Sequence, residues 1–333
     1  MSLLRLIVFL LFAHSISLYS QGELRTQNIG DLELTGGGVI KDCKVAYRVF
    51  GSANSDSSNI VIYPTWFAGN TEQLRGLMGK GKIVDTSHYC VIALDALGDG
   101  FSSSPSNSNG LFPVISIKDM VNSQYILLTK YLKVMKIHAA IGGSMGGMQV
   151  YQWLMSYPSF MKKAVPYVGT PRPAVTDMAI WHNQLAMIET AEKCSLPQEE
   201  VMRAPNLVMN LFAYTHEYRN ERTNRDSFFV YYNGHRKPQP ATFTVENYKA
   251  QLRAMMSHDI YDGAMPEDAV KKIKAEVFVI AGKYDNLVYH GPAAEFAKLT
   301  GSKLYLSESN CGHICVGCEL STVSEMIDEF LKK

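Results

Sequence analysis

The chain has 333 residues, of which 47% are apolar, and it carries 32 Lys and Arg against 31 Asp and Glu. This composition is typical of a globular protein with a sizeable apolar core, and it excludes disordered and fibrous classes. Binding to nucleic acid or to an anionic membrane depends on clustered basic residues, so the near-neutral charge without such clusters argues against both partners.

The first twenty residues differ from the rest of the chain. Met1–Arg5 carry one positive charge, residues 6–12 are continuously apolar, and small residues follow before Gln21. This pattern predicts a secretory signal peptide over residues 1–20. A membrane anchor is the alternative, but the apolar stretch is too short to span a bilayer comfortably. We therefore expect a secreted or periplasmic protein with no stable membrane insertion after signal cleavage.

Seven short runs rich in β-branched residues predict strands. They begin at Val45, Asn59, Cys90, Ile137, Lys162, Glu276 and Lys303. Several are continuously apolar, as expected of strands that are covered on both faces. Helix-like segments lie between them, among them residues 116–135 and 146–157, the second closed by Pro158. The alternation predicts an α/β fold with a mostly parallel, doubly wound sheet.

The alternation of strand and helix is interrupted once. Residues 172–262 are amphipathic and helix-like, and the strand pattern resumes at Glu276. Open α/β sheets bind ligands outside the carboxyl ends of their strands. We therefore predict that 172–262 form a helical lid over that edge, with residues 21–171 and 263–333 forming the core.

The segment GGSMGG, residues 142–147, places Ser144 directly between a predicted strand and a predicted helix. It fits the G-x-S-x-G pattern of a nucleophile elbow, in which a sharp turn presents the serine above the sheet. Side chains at Gly142 or Gly146 would collide with the neighbouring strand or helix. The Met145 amide, at the helix N-terminus, would face a developing oxyanion. Close packing of small residues is the alternative reading.

A serine becomes a good nucleophile only beside a base that an acid orients. An elbow serine is followed along the chain by Asp or Glu and then by His. Asp285 follows a late predicted strand and His313 follows the next one. Both then lie at the same sheet edge as Ser144, so we predict His313 as base and Asp285 as orienting acid. Asp262 and Glu308 are the alternative acids, and a surface or capping role is the alternative for His313.

The second oxyanion donor is expected in the loop after an early strand. The segment VIYPTWFAGN, residues 61–70, supplies that loop, and the backbone amide of Trp66 is the preferred donor. The Trp66 indole would either form a wall of the acyl pocket or pack in the core.

The cysteines allow several chemistries. They are Cys43, Cys90, Cys194, Cys311, Cys315 and Cys318. The last three have the C-x3-C-x2-C spacing of a radical iron–sulfur ligand set, and with His313 they could also bind zinc. An oxidising compartment and a catalytic role for His313 argue against both metals, so no metal or cofactor is expected. A disulfide within this loop, or from it to either of the first two cysteines, is favoured.

The block from Phe112 to Pro158, which contains GGSMGGMQ, resembles the homoserine O-acetyltransferase family of α/β-hydrolases. Similar segments, DALGDGFSSSPSN and NYKAQLRAMMSHDI, extend the resemblance over most of residues 45–331. The resemblance implies an α/β-hydrolase fold with a helical lid and a triad of Ser144, Asp285 and His313. It also implies acyl-enzyme chemistry on a small-molecule acyl ester and, in many members, a homodimer formed through the lid.

The chain departs from this family where the amino-acid acceptor would bind. Members that use homoserine carry Asp directly after the catalytic His, and this chain has Ile314 there. They also carry an Arg in the first lid helix, whereas no Arg occurs between Arg172 and Arg203. An exported enzyme would also be separated from acetyl-CoA, a cytoplasmic donor. Water or an unidentified alcohol is therefore the expected acceptor.

Three classes of function follow from these patterns. The preferred one is a serine-nucleophile ester hydrolase, with an acetyl-CoA-dependent O-acyltransferase as its alternative. The second is a non-catalytic secreted binding protein on the same scaffold. The third is a metal or redox protein that uses the cysteine cluster.

Overall fold

The computed structural model describes residues 22–234 and 243–333, so the predicted signal peptide lies outside the described residues. The described strands are β1 (Arg25–Asn28), β2 (Leu32–Glu33), β3 (Val39–Ile40), β4 (Lys44–Phe50), β5 (Ile60–Pro64), β6 (Cys90–Leu94), β7 (Ile137–Gly143), β8 (Met161–Tyr167), β9 (Glu276–Gly282) and β10 (Lys303–Ser307). The described helices are α1 (Thr71–Leu74), α2 (Ile117–Ile126), α3 (Met145–Ser156), α4 (Val175–Lys193), α5 (Gln198–Ala213), α6 (His216–Arg222), α7 (Phe228–Gly234), α8 (Val245–Met256), α9 (Pro266–Ala269), α10 (Gly291–Thr300), α11 (Cys315–Cys318) and α12 (Leu320–Lys332).

One eight-stranded sheet organises the chain. Its strand order is β1-β4-β6-β5-β7-β8-β9-β10. The pairs β1/β4 and β4/β6 are antiparallel, and every pair from β6 to β10 is parallel. This mostly parallel sheet confirms the predicted fold class.

Helices cover both faces of the sheet. In a strand successive side chains point to opposite faces, and β5 buries all of its residues. Ile62 belongs to an apolar cluster with α2, α3 and α10, whereas Val61 belongs to a second cluster with α1 and α12. Burial on both faces explains why β5 reads as a continuous apolar run instead of an alternating one.

The seven predicted strands correspond to β4 to β10, and the predicted helices are also present with shifted ends. Residues 116–135 form α2, capped by Ser116, and then one π-helical turn over Leu127–Tyr131. The helical structure stops before Lys133, which has a positive φ of 56°. The helix predicted over residues 146–157 is α3, which begins one residue earlier, at Met145.

Helices α4 to α9 lie between β8 and β9, and no strand interrupts them in the described part of this segment. Gln251 of α8 connects them to the core, because its side chain accepts from the Ala68 N–H at 3.0 Å and donates to the Leu97 carbonyl at 3.2 Å. The bounds 172–262 for a lid stay a prediction. Among the described helices, none is long and apolar enough to cross a membrane.

Candidate active site

Ser144 lies in a sharp turn between β7 and α3. Its φ of 56° and ψ of −123° belong to a region that non-glycine residues avoid, at a cost of about 1–3 kcal/mol. Hydrogen bonds hold this conformation: the Ser144 N–H donates to the Tyr167 carbonyl at 3.0 Å, and the Met148 N–H donates to the Ser144 carbonyl at 3.0 Å. The turn projects the serine hydroxyl beyond the end of β7.

Two glycines make this turn possible. A Cβ on Gly142 would lie 2.4 Å from the Gly146 carbonyl oxygen, and a Cβ on Gly146 would lie 2.6 Å from the Pro64 carbonyl oxygen. Both separations are shorter than non-bonded atoms tolerate, and each obstacle is backbone that cannot turn aside. Glycine at these positions therefore allows α3 to start directly against β5 and β7.

Three side chains from three strand ends form one hydrogen-bonded row. The Ser144 Oγ lies 2.9 Å from the His313 Nε2, and the His313 Nδ1 lies 2.7 Å from the Asp285 Oδ2. These distances are those expected of a nucleophile, its base and the acid that orients the base. The three residues named from the sequence are thus together at the predicted edge of the sheet.

Asp285 is held rigidly at the bottom of this row. Its second oxygen, Oδ1, accepts from the N–H groups of Leu287 and Val288 at 2.9 and 3.0 Å. With Oδ1 occupied in this way, Oδ2 is left to accept from the imidazole. The two alternative acids lie elsewhere, since Asp262 pairs with Lys118 and Glu308 pairs with Lys283.

Two nearby carboxylates, Asp285 and Asp177, favour the protonated form of His313. Burial opposes a charge on this imidazole, but the charge and hydrogen bond of Asp285, joined by the charge of Asp177, raise the pKa of His313. Asp177 belongs to α4 and is itself buried, and this burial raises its own pKa. Its oxygens accept from the N–H groups of Tyr289 and Ala174 at 2.9 and 3.0 Å. Two carboxylates therefore stabilise an imidazolium at position 313.

Two backbone amides are positioned to receive an oxyanion. The Met145 N–H belongs to the first turn of α3, where amides have no acceptor within the helix, and no other described residue accepts from it. The Trp66 N–H likewise has no acceptor among the described residues. Trp66 and Ser144 line the same cavity. Both predicted donors therefore have an N–H without an acceptor among the described residues.

Ser144 and His313 open into a cavity of about 430 Å³ that is lined mainly by apolar side chains. The core contributes Trp66, Tyr167 and Ile314, while α4 and α8 contribute Trp181 and Tyr248. Among the described lining residues none is Asp, Glu, Lys or Arg. The site accordingly suits an uncharged, largely apolar ligand.

The loop that carries His313 is closed by a disulfide between Cys311 and Cys318. The third cysteine of the cluster, Cys315, keeps a buried thiol, and burial raises its pKa to about 12. The cluster therefore lacks the three thiolates that a zinc or iron–sulfur site would need. The described residues also contain no group of three or more His, Cys, Asp or Glu that could hold a metal.

Two residues near the site were not predicted from the sequence. Asp177 lies 112 positions from Tyr289, its backbone partner, and no local pattern connects them. Gln149 is the last residue of the GGSMGGMQ segment, but its buried contact with the Thr65 carbonyl joins positions 84 apart. A glutamine in a mostly apolar helix was the available signal.

Comparison with known proteins places the chain in a family. A family model described as alpha/beta hydrolase fold matches residues 67–316, well over half of the chain. The chain therefore belongs to the α/β-hydrolase fold family.

Individual relatives show which members of this family the chain is similar to. The chain is 37% identical over 164 residues to ethyl acetate hydrolase from Pseudomonas veronii, and the match covers 47% of each protein, about half the length of that relative. It is 28% identical to homoserine O-acetyltransferase from Geotalea daltonii over 91% of this chain and 95% of that protein. The solved structure of an acetylester hydrolase from Corynebacterium glutamicum superposes with a TM-score of 0.85 at 24% identity, covering 94% of this chain and 97% of that chain.

The resemblance to homoserine O-acetyltransferases is confirmed by the match over nearly the whole chain. Because a named ester hydrolase is also similar, relatedness alone does not separate hydrolysis from acyl transfer. The chain is a member of the α/β-hydrolase fold family that is similar both to esterases and to homoserine O-acetyltransferases.

Proposed function

We propose that the protein is a serine-dependent hydrolase of small, uncharged acyl esters. The observation that supports this most strongly is the hydrogen-bonded row of Asp285, His313 and Ser144 at the base of a largely apolar cavity. Similarity to an ethyl acetate hydrolase favours a short acyl group and an uncharged alcohol.

The first half of the reaction forms an acyl-enzyme. The Ser144 Oγ attacks the ester carbonyl carbon while its proton passes to the His313 Nε2, and Asp285 holds the imidazole and stabilises its positive charge. The N–H groups of Met145 and Trp66 donate to the carbonyl oxygen as it becomes negative. The bond from carbon to the leaving alcohol then breaks, and the alcohol takes the proton from His313.

The second half regenerates the enzyme. A water molecule gives a proton to the His313 Nε2 and attacks the acyl carbonyl carbon, again with the negative oxygen held by the two amides. The bond from carbon to the Ser144 Oγ breaks, and Ser144 recovers its proton from His313. The products are an alcohol and a carboxylic acid.

Hydrolysis of p-nitrophenyl acetate by the purified protein tests this mechanism. We expect Ser144→Ala to lower turnover by several orders of magnitude, as loss of a triad nucleophile does. A fluorophosphonate should label the native protein and leave the variant unlabelled. Ser156→Ala, at the far end of α3, is the control and should behave as the native protein. A folded native protein that neither hydrolyses the ester nor reacts with the probe would favour a binding protein on this scaffold.

An O-acyltransferase is the second candidate, and the near full-length match to a homoserine O-acetyltransferase favours it. In that case the acyl-enzyme would form from acetyl-CoA, and an alcohol would replace water in the second half. The two candidates share every protein group in the row and differ in the acceptor, so product analysis separates them.

We also propose that the enzyme acts outside the cytoplasm. The support is the signal-like pattern of residues 1–20, together with a disulfide in the loop of His313, since disulfides persist in oxidising compartments. Expression with and without residues 1–20, followed by cell fractionation, tests export. Equal retention of both forms inside the cell would contradict it.

A further inference from the structure

A chain of buried side-chain amides connects the centre of α3 to the loop after β5. The Trp153 Nε1 donates to the Gln124 Oε1 at 3.0 Å, and the Gln124 Nε2 donates to the Gln149 Oε1 at 2.7 Å. The Gln149 Nε2 then donates to the Thr65 carbonyl oxygen at 2.9 Å. All four residues are completely buried. Burying polar groups costs free energy unless they form hydrogen bonds. A buried series of hydrogen-bonded side chains is therefore expected to have a structural or functional role.

The direction of these hydrogen bonds is fixed at one end. An indole N–H is only a donor, so Trp153 obliges Gln124 to present its oxygen. The Gln124 NH₂ group therefore faces Gln149, which must in turn present its own oxygen to Gln124 and its NH₂ group to Thr65. The hydrogen-bonded series therefore places a donor, the Gln149 NH₂ group, against the Thr65 carbonyl oxygen.

That carbonyl belongs to the same peptide unit as the Trp66 N–H. A trans peptide is planar, and its C=O and N–H point in opposite directions. The other groups of Thr65 are already held, because its N–H donates to Leu94 and its hydroxyl accepts from Ala96, each at 3.0 Å. The backbone of Thr65 can then still rotate about its Cα–C bond, and this rotation determines the direction of the Trp66 N–H.

We propose that Gln149 is a positioning residue for the oxyanion hole, which fixes the Thr65–Trp66 peptide so that the Trp66 N–H faces the cavity of Ser144. This inference rests on the ester hydrolase proposed above. Gln149 also lies 3.3 Å from the Met145 carbonyl, one turn earlier in α3. One side chain therefore contacts the peptide unit that carries the Trp66 N–H and also the carbonyl of Met145, the other proposed donor residue. Donors held in place before reaction cost no reorganisation when the charge develops.

The test compares Gln149→Met with Gln152→Met in the full-length enzyme. The methionine has a similar length but cannot donate to the Thr65 carbonyl. Gln152 is its matched control, because it is nearly buried one turn further along α3 and donates to the Ser156 Oγ at 2.9 Å. We expect Gln149→Met to lower kcat for p-nitrophenyl acetate by about tenfold to a hundredfold, with KM changed by less than about threefold. Gln152→Met should leave both constants near native values.

A second measurement separates positioning from loss of folded protein. Inhibition by an alkylboronic acid, which forms a tetrahedral adduct on the serine, should weaken in Gln149→Met by about the same factor as kcat. If that variant does not fold, Gln149→Glu serves instead, because its carboxyl can donate to Thr65 only when protonated. Its kcat relative to the native enzyme should then fall as pH rises.

The inference is overturned if Gln149→Met keeps the kcat of Gln152→Met, or if Gln149→Glu shows a constant ratio to the native enzyme across pH. These results can be separated from a failure of the proposed function. If the proposed function were wrong, the native protein would not hydrolyse the ester, or Ser144→Ala would hydrolyse it as fast as the native protein.

Discussion

In the proposed mechanism His313 is a base that is neutral before the reaction and charged during it. The row from Ser144 to Asp285 supplies the geometry, and the second carboxylate, Asp177, adds negative charge from α4. Because both carboxylates favour the protonated imidazole, they raise the pKa of His313 and strengthen it as a base. The same effect keeps more of the enzyme in the inactive, protonated form on the acid side.

The role of Asp177 can be tested through the pH dependence of kcat/KM. Activity should rise with pH as His313 loses its proton. Asp177→Asn keeps an oxygen for the Tyr289 N–H but removes the charge, so the pKa of His313 falls and the acid limb moves to lower pH. The plateau rate should also fall, by no more than about tenfold (~1.4 kcal/mol), because the base is weaker.

Glu189→Gln is the control for Asp177→Asn, since Glu189 lies on the exposed side of the same helix and pairs with Arg253. Its pH profile should match that of the native enzyme. An acid limb that stays in place in Asp177→Asn would show that this carboxylate does not influence His313.

Individual site residues could be predicted from the sequence where the residues next to them along the chain form a recognisable pattern. Ser144 is flanked by glycines that its strained turn requires, and Asp285 and His313 each follow a strand. Asp177 and Gln149 have no such signal, because their partners are brought to them only when the sheet and α4 are assembled. Contacts of that kind follow from tertiary packing and not from a local pattern.

The loop between β10 and α12 holds His313, the proposed base. Its disulfide joins Cys311 to Cys318, and His313 lies within the ring so formed. The Thr215 hydroxyl, which caps α6, donates to the Asn310 carbonyl at the start of this loop. The loop is therefore fixed both by its own covalent link and by the helices inserted between β8 and β9.

Removal of the disulfide should cost stability and activity together. A link that closes a ring this small contributes about 2–3 kcal/mol to folding, largely by restricting the unfolded chain. We expect the double variant Cys311→Ala, Cys318→Ala to lose about 2 kcal/mol of unfolding free energy in urea. Its kcat should also fall, because the imidazole is held less firmly.

Reduction provides the matched comparison. Dithiothreitol should lower the stability of the native enzyme towards that of the double variant and leave the variant unchanged. Cys194→Ala, which removes an exposed free thiol outside this loop, should resemble the native enzyme in both conditions. If reductant does not alter the native enzyme, the ring does not support the position of His313.

Among the secondary-structure elements, those of the interior could be predicted reliably from the sequence, and those at the edges less reliably. Strands β4 to β10 are apolar enough to be read directly, because most are covered on both faces. The polar strand β1, at the edge of the sheet with alternating half-buried and exposed residues, was not predicted. The end of α2 was misplaced since the left-handed residue there, Lys133, is a lysine with no turn signal.

For the whole molecule, the decisive feature is that the strands of the sheet and the helices between β8 and β9 together line the apolar cavity into which Ser144 opens. Trp66 and Ile314 come from the core, and Trp181 and Tyr248 come from helices between β8 and β9. Two arginines of the segment between β8 and β9 already have carboxylate partners, as Arg172 lies 3.9 Å from Asp259 and Arg203 lies 3.2 Å from Glu200. An enclosed charge without a partner is heavily penalised.

The uncharged lining of this cavity predicts which substrates the proposed hydrolase refuses. Homoserine brings an ammonium and a carboxylate, and Ile314, directly after His313, cannot pair with the ammonium. We expect hydrolysis of p-nitrophenyl acetate to exceed acetyl transfer from acetyl-CoA to homoserine by at least about tenfold, a barrier difference of ~1.4 kcal/mol. Both rates can be measured on one preparation, with Ser144→Ala as the blank. Because a site built for an uncharged group leaves the charges of an amino acid unpaired, added homoserine should neither accelerate ester cleavage nor yield O-acetylhomoserine. Efficient formation of O-acetylhomoserine at low homoserine concentration would instead require counter-charges in the cavity and would establish the acyltransferase.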